Sequence, residues 1–399
     1  MILGAAVDQV PLIKAAKDLG LFVVCCDYTD TNPGLCMVDK HYKVDYMDRN
    51  VLFDIAKKEK VDGVISNSEP AMENVAYLTE TLQLTGNTLS SIECLSNKSK
   101  FRTLLEEVGV FCPKHFLAKT KEELWKGIDK VGFPIIIKPC ACSASRGITV
   151  LHEKNKERIE DAFDDSMAFS WNKQVEIEEY VQMPSSSSIE GELFVYNDDI
   201  WFNGLFDVQR SKLYTMIPMT YLCPIIIDEG KMNKIEDTVT RIVKGAGLSF
   251  GEFNIEMYFT ETGEVFVIEF NTRQGGRYLP IMVQEHNGID YYKLLVSLAV
   301  GDESYYSFVK SNSFDTSNNC VTKHMVFAHK DGVLDKLVFS DTIRPFVKRN
   351  TRFIEDGSPV KSIKNGTHVI GMIDLRFDDY RQQRSFVEHM EENIYVEVM

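Results

Sequence analysis

Apolar residues in the first 95 positions fall into two alternating kinds of run. Short continuous runs at Met1–Leu3, Leu21–Asp27 and Val61–Asn67 predict buried strands. Between them, apolar residues at three- and four-residue spacing predict amphipathic helices over Val10–Leu19, Val51–Glu59 and Ala71–Leu82. Strands that alternate with helices pair in parallel, so this stretch predicts a doubly wound α/β domain covered on both faces.

After Thr85-Gly86-Asn87 the pattern changes. Helices are predicted over Phe101–Val108, which Gly109 and Pro113 stop, and over Lys121–Val131, Glu157–Phe163, Lys234–Ala246 and Asp290–Val300. Strands are predicted over Pro134–Lys138, Val175–Val181, Gly191–Tyr196 and Ile200–Asp207. A hairpin follows, Glu252–Phe259 and Val265–Asn271 about a turn at Glu261–Glu264. The run Pro184-Ser185-Ser186-Ser187-Ser188 reads as a turn. From about residue 305 an α+β unit is expected, with strands over Val321–Ala328 and Val369–Phe377 and a helix over Tyr380–Glu391. The expected organisation is therefore a parallel α/β domain (1–95), an α+β domain with antiparallel sheets (96–304, divided into lobes 96–181 and 182–304) and a C-terminal α+β subdomain (305–399).

Composition narrows the classes. Hydrophobic residues at 44% and charged residues at 26% fit a globular chain and exclude disorder. No apolar run reaches the roughly 18 residues that a membrane helix needs. The net charge is −15, and no basic cluster is long enough to displace counterions from a nucleic acid, so neither a nucleic-acid nor a membrane partner is expected. Met1-Ile2-Leu3-Gly4 enters a strand without a basic leader, and the nine cysteines are scattered, as suits reduced thiols in the cytoplasm. Cys140 and Cys142 lack a second flanking pair, which argues against a zinc site.

Four features carry candidate chemistry. In the hairpin, strand alternation puts Asn254 and Glu256 on one face, and Glu269, Asn271 and Arg273 on one face. If the strands pair, oxygen donors suited to Mg²⁺ gather beside a guanidinium; otherwise the glutamates are simply solvated. Lys138 ends the apolar strand Pro134–Lys138, ahead of small residues from Cys140 to Gly147 whose amides can approach an anion; a snorkelling lysine is the plainer reading. Lys98 stands just ahead of a helix, where surface lysines are common. Val175–Val181 carries Glu176, Glu178 and Glu179 and reads either as an edge strand with solvated glutamates or as one offering edge amides to a flat ring.

In their order along residues 96–304 these features resemble the ATP-grasp superfamily, closest to carbamoyl-phosphate-synthase-like proteins and amino-acid ligases. The resemblance rests on a lysine before a helix, a strand ending Lys138-Pro139, a small-residue loop, Glu178-Glu179-Tyr180, and Glu256 with Glu269-Phe270-Asn271-Thr272-Arg273. It implies ATP as cosubstrate with Mg²⁺, or Mn²⁺ as an alternative ion. Lys98 and Lys138 would meet the phosphates, and Ser143, Ser145, Arg146 and Gly147 would lie in the loop that closes over them. Glu178 would meet the adenine amino group, backbone at Glu179 and Val181 the ring nitrogens. Glu256, Glu269 and Asn271 would hold metal, and Arg273 would stabilise the transferred phosphoryl group. Two departures stand out: Ala141 and Ala144 replace the residues usual in the loop, and Gln182-Met183-Pro184-Ser185 replaces the usual ribose-binding Gly-x-Glu, leaving Glu190 or a serine as substitutes.

The implied reaction is amide formation between a small carboxylate and an amine through an acyl phosphate. The alternatives are a bicarbonate-phosphorylating carboxylase or carbamoyl-type enzyme and a catalytically silent nucleotide-binding module. A dinucleotide oxidoreductase is excluded, because Gly4-Ala5-Ala6-Val7-Asp8 lacks the second and third glycines of that fingerprint. Ser68-Glu69-Pro70 is placed for a substrate contact or a plain helix start. Arg210 and Arg277 are candidates either to grip a carboxylate or to form surface ion pairs, and His286 reads as structural. The C-terminal unit would shape the acceptor pocket or a homodimer contact.

Overall fold

The computed structural model describes residues 1–142, 146–183, 187–211, 214, 217–312 and 319–399. Its first sheet pairs β1 (Ile2–Leu3), β2 (Val24–Asp27) and β3 (Lys40–Lys43) in parallel. Around it lie α1 (Val10–Asp18), α2 (Arg49–Glu59) and α3 (Met72–Leu82), which begin and end within about two residues of their predicted spans. The strand predicted over Val61–Asn67 is reduced to one parallel bridge between Ile2 and Ile65. The Ser66 hydroxyl turns back to the Leu3 carbonyl (2.7 Å) and accepts from the Ser68 amide (3.0 Å), which bends the chain out of the sheet after one pairing. The strand Lys40–Lys43 escaped prediction because its lysines mark an edge and leave no apolar run.

Two helices link this domain to the rest. α4 (Leu89–Ser96), also unforeseen, is capped by Thr88, and α5 (Lys98–Glu107) by Asn97. A small antiparallel sheet then forms from β4 (His115–Ala118), β5 (Ile135–Pro139), β6 (Thr149–Leu151) and β7 (Val175–Glu179), in the order β4-β7-β5-β6. Its backing helices are α6 (Lys121–Val131) and α7 (Lys156–Phe169), which pack through Leu124, Ile128, Ile159 and Phe163 onto Ile135, Ile137 and Ile177. Because β7 lies between β4 and β5, it is no edge strand, and Glu176 and Glu178 are fully buried rather than solvated.

The large sheet is antiparallel throughout. It contains β8 (Ser187–Tyr196), β9 (Asp199–Arg210), β10 (Pro218–Cys223), β11 (Phe250–Phe259) and β12 (Val265–Asn271). The C-terminal strands β13 (Cys320–Val326), β15 (Val347–Arg352) and β17 (Gly371–Phe377) extend it in the order β12-β11-β8-β9-β10-β13-β17-β15, while β14 (Gly332–Phe339), β16 (Pro359–Val360) and β18 (Ile394–Val398) form a third small sheet. On one face of β8, β11 and β12, Leu193, Phe253, Ile255 and Phe270 pack against α4, α5 and α8 (Glu229–Ala246). The N-terminal domain docks against α10 (Tyr291–Ala299) through α1, with Leu12 and Ile13 meeting Leu294 and Leu298. Gly63 is required in this contact, since a Cβ there would lie 2.4 Å from the Ala299 carbonyl oxygen.

The opposite face of β8, β11 and β12 is polar and looks toward the small sheet. None of the described helices is long and apolar enough to cross a membrane. Phe253 is fully buried, its ring 5.7 Å from that of Phe270. Phe253→Ala should lower the unfolding free energy by about 3–5 kcal/mol, read as a shifted denaturant midpoint.

Candidate functional site

The hairpin pairs as its alternation predicts. Glu256 lies opposite Glu269 and Asn254 opposite Asn271. On the other side of β11, Glu256 lies opposite Glu190 and Asn254 opposite Glu192 of β8. One face therefore carries a row of three carboxylates, Glu190–Glu256–Glu269, next to a row Glu192–Asn254–Asn271. A register shift after Glu256 turns both Ile268 and Glu269 to this side, so an apolar residue joins the acidic ones there.

Like charges facing one another across strands repel, and here each carboxylate is compensated differently. Glu269 accepts from the Lys98 ammonium at 2.6 Å; burial opposes its charge, but that lysine holds it below the usual carboxylate range. Glu256 pairs with Arg210 at 3.2 Å. Glu190 is buried beside Glu256, and both effects push its carboxyl up to about 8. Lys98 is the first residue of α5, where Asn97 fixes the helix start by accepting from the Ser99 and Lys100 amides. The Lys98 amide also bonds the Cys140 carbonyl (3.2 Å), tying this end of the helix to the segment after β5.

The small sheet contributes a second set of charges. Lys138 is buried and pairs with Glu178 at 2.7 Å. Glu178 also accepts from Arg102 at 2.9 Å, and Arg102 in turn donates to the Val267 and Ile268 carbonyls of β12. Although burial disfavours its charge, Arg102 and Lys138 hold the Glu178 carboxyl down to about 2. Burial, with Arg102 nearby, brings the Lys138 ammonium down to about 8. Gly147 has a positive φ of 67° and sits so close to Phe169 and Pro139 that a side chain would crowd both; Arg146 lies over the Phe169 ring. Ser143 and Ser145 lie outside the described residues.

At the other end, Arg273 donates to Glu69 at 3.3 Å and to the Gln274 carbonyl. The segment that carries it rests on two buried acids. Glu192 accepts from the Gly275 amide (3.0 Å) and Asn254, and Glu252 from Gln274 (2.5 Å) and Asn203. Burial pushes Glu252 up to about 8 and, with Glu252 beside it, Glu192 well above its usual range. Arg277 and Tyr278 both adopt left-handed backbone (φ 58° and 57°), a strained pair that sets the Arg277 guanidinium against the Tyr221 hydroxyl at 2.6 Å. Arg210 and Arg277, read as candidates for surface ion pairs, both line the cleft instead, and Arg210 pairs there with Glu256. His286 donates from Nδ1 to the Asn319 carbonyl at 2.7 Å and stands clear of the site.

These groups surround one cleft of about 680 Å³ between the two sheets. Lys98, Lys138, Arg146, Glu178, Glu179, Val181, Glu256, Glu269, Asn271 and Arg273 all line it, and so do Glu69, Glu190, Arg210, Tyr221 and Arg277. Apolar walls come from both lobes, Ile136, Ile148 and Met183 facing Phe266, Ile268 and Leu279. Of the segment replacing the usual ribose contact, Gln182 and Met183 line the cleft, whereas Pro184 and Ser185 lie outside the described residues. Arg102, Glu192 and Glu252 are the organising residues that strand and helix patterns did not single out. Arg102 could have been found from its place one turn after Lys98 and three residues before buried Leu105.

A small sheet with a lysine strand, closing with an acidic antiparallel sheet on one cleft, makes this an ATP-grasp protein. The chain belongs to the family described as carbamoyl-phosphate synthase L chain, ATP binding domain, which matches residues 97–303. Among curated relatives, uncharacterized protein y4rH of Sinorhizobium fredii is 25% identical over 79% of this chain and 63% of its own length. The carbamoyl phosphate synthase large chain of Thermotoga neapolitana is 25% identical over 63% of this chain, but the match spans only 22% of that longer protein. The L-amino acid ligase of Bacillus licheniformis shares the fold, with a TM-score of 0.82 at 19% identity over 100% of this chain and 98% of its own.

Two predictions follow from the buried charges. Glu178→Gln leaves Arg102 and Lys138 buried without their anion and should cost about 3–5 kcal/mol of stability in denaturant titration. In the parent protein the stability that Glu178 contributes is complete above its ordinary value of 4.5 and is lost as pH falls toward about 2. Glu252 has the opposite sign. The folded state keeps its proton up to about 8 while the unfolded chain releases it near 4.5, so stability declines as pH rises between those values, and Glu252→Gln should flatten that decline in a Tm-versus-pH series.

Proposed function

We propose that the protein is an ATP- and Mg²⁺-dependent carboxylate–amine ligase that forms an amide through an acyl phosphate. The observation that carries this reading is the convergence of Glu256, Glu269 and Asn271 with Lys98, Lys138 and Arg273 on one cleft. The donor set of two carboxylates and an amide is oxygen only, which suits a hard cation that completes its shell with substrate phosphates. Glu256, Glu269 and Asn271 would hold Mg²⁺, which supplies neutralisation of phosphate charge when bound.

In this reading the adenine ring enters between the apolar walls. The Glu179 amide is already donated to the Lys114 carbonyl (2.8 Å), so the Val181 amide serves the ring nitrogen instead. Glu178, held between Arg102 and Lys138, orients Lys138 toward the phosphates as well as facing the ring. With Glu269 holding a metal, Lys98 would be free to turn from that carboxylate to the phosphates. The γ-phosphoryl group then lies between the lysines and Arg273, and Arg277 with Tyr221 holds the substrate carboxylate beside it.

A carboxylate oxygen attacks the γ-phosphorus and the β–γ bridging bond breaks, giving acyl phosphate and ADP. The amine nitrogen then attacks the acyl carbon, loses a proton, and expels inorganic phosphate. Most of the rate comes from positioning and from charge already fixed in place, since neither step needs a protein nucleophile. The relative named carbamoyl phosphate synthase large chain supports a second reading, in which bicarbonate is the carboxylate phosphorylated.

Incubation with Mg-ATP, hydroxylamine and pools of small carboxylates should yield a hydroxamate and one ADP per hydroxamate. ADP release that needs bicarbonate and no other carboxylate would favour the second reading. Glu269→Gln should reduce ADP formation at least about 100-fold, as expected when a fixed charge partner of the transition state is removed. Turnover within a few-fold of the parent in a correctly folded Glu269→Gln protein would remove the metal and phosphate assignment.

A further inference from the structure

A second cleft, of about 370 Å³, opens where the N-terminal domain meets the large sheet. It lies at the carboxyl ends of the parallel strands: Gly4 follows β1, Asp27 ends β2, and Asn67 follows the Ile65 bridge. In open α/β sheets this edge is where ligands bind. Glu69, Arg273 and Gly276 stand on its wall and on that of the first cleft, so a group in the second cleft can reach a phosphoryl or acyl group beside Arg273.

The chemistry of the lining is selective. Asp27 is fully committed, accepting from the Ala5 and Thr29 amides and from Asn32, and it thereby fixes the loop that follows β1. That loop presents Asp8, whose exposed carboxylate makes no hydrogen bond or ion pair among the described residues. Arg273, the one cationic side chain among the described lining residues, is already paired with Glu69. The other polar side chains of the lining are hydroxyls, amides and phenols, including Ser68, Asn67 and Tyr28.

We propose that Asp8 sets the specificity of this second cleft, so that the amine cosubstrate received there is a small hydroxylated cation carrying no phosphate group. The ammonium sits against Asp8, with hydroxyl groups on the amides and phenols. A phosphoryl group would meet Asp8 and Glu69, with Arg273, the cation of the described lining, already engaged by Glu69. The assignment rests on the ligase reading for the word cosubstrate, while the binding itself does not.

The test is saturation-transfer NMR on the full chain without ATP, using ethanolamine, glucosamine, O-phosphoethanolamine and glucosamine 6-phosphate. At least one free amine should bind, and its phosphorylated counterpart should bind at least about tenfold more weakly. Asp8→Asn should weaken amine binding about tenfold, and Ala6→Arg, at an exposed lining position, should do the same by placing a positive charge in the cleft. Tighter binding of the phosphorylated compounds, unchanged binding in folded variants, or no binding of either free amine at about 10 mM overturns the proposal. Because no turnover is measured, a protein that binds the amine yet traps no hydroxamate would refute the ligase reading alone.

Discussion

The site depends on one repulsion that the fold enforces. Strand register places Glu190, Glu256 and Glu269 side by side across β8, β11 and β12, and the core on the reverse of the same strands prevents any slip. A one-residue shift would send Leu193, Phe253 and Ile255 into the cleft and the glutamates into the hydrophobic layer. The row is thus locked by apolar packing, and its charge has to be balanced from elsewhere. Lys98 comes from the helix packed on the reverse face, Arg210 from β9, and Glu190 keeps its proton. In the proposed function, substrate and metal would displace these compensating groups, and the electrostatic liability would serve as a binding site.

The two lobes are joined by the same logic. Arg102 lies in α5, on the large-sheet core, yet it holds Glu178 of the small sheet and the carbonyls of β12 together. Lys138 completes that buried triad and opens onto the cleft. Cleft-lining charges of both lobes therefore share one ion network, so their relative placement does not depend on long flexible side chains finding each other in water. On the far side, the buried acids Glu192 and Glu252 hold the turn through Gly275 and Gln274 that presents Arg273 and Arg277.

Much of this was legible in residue patterns where the determinants are local. The period-two alternation of Asn254, Glu256, Glu269 and Asn271 identified the acidic face, and the pairing follows because the turn between the strands is short. The lysines and Arg273 were found through their order along the chain. What could not be read is non-local. Glu190 and Glu192 join the face only through a pairing between β8 and β11, some 60 positions apart in sequence, and no local signal specifies that register. Val175–Val181 looks like an edge strand because nothing in it records that β4 and β5 will close on either side. Val61–Asn67 has strand composition, but the Ser66 hydroxyl binds backbone at Leu3 and Ser68 and ends the pairing early.

The central claim is that the cleft activates a carboxylate by phosphorylating it, and an oxygen-label transfer tests this most directly. With an ¹⁸O-carboxylate substrate, Mg-ATP and its amine partner, the phosphate released should carry one ¹⁸O, seen as an upfield shift in the ³¹P spectrum, because the bridging oxygen of the acyl phosphate comes from the carboxylate. Phosphate formed with turnover but free of label would contradict the account, since the phosphoryl group would then never have been bonded to the substrate.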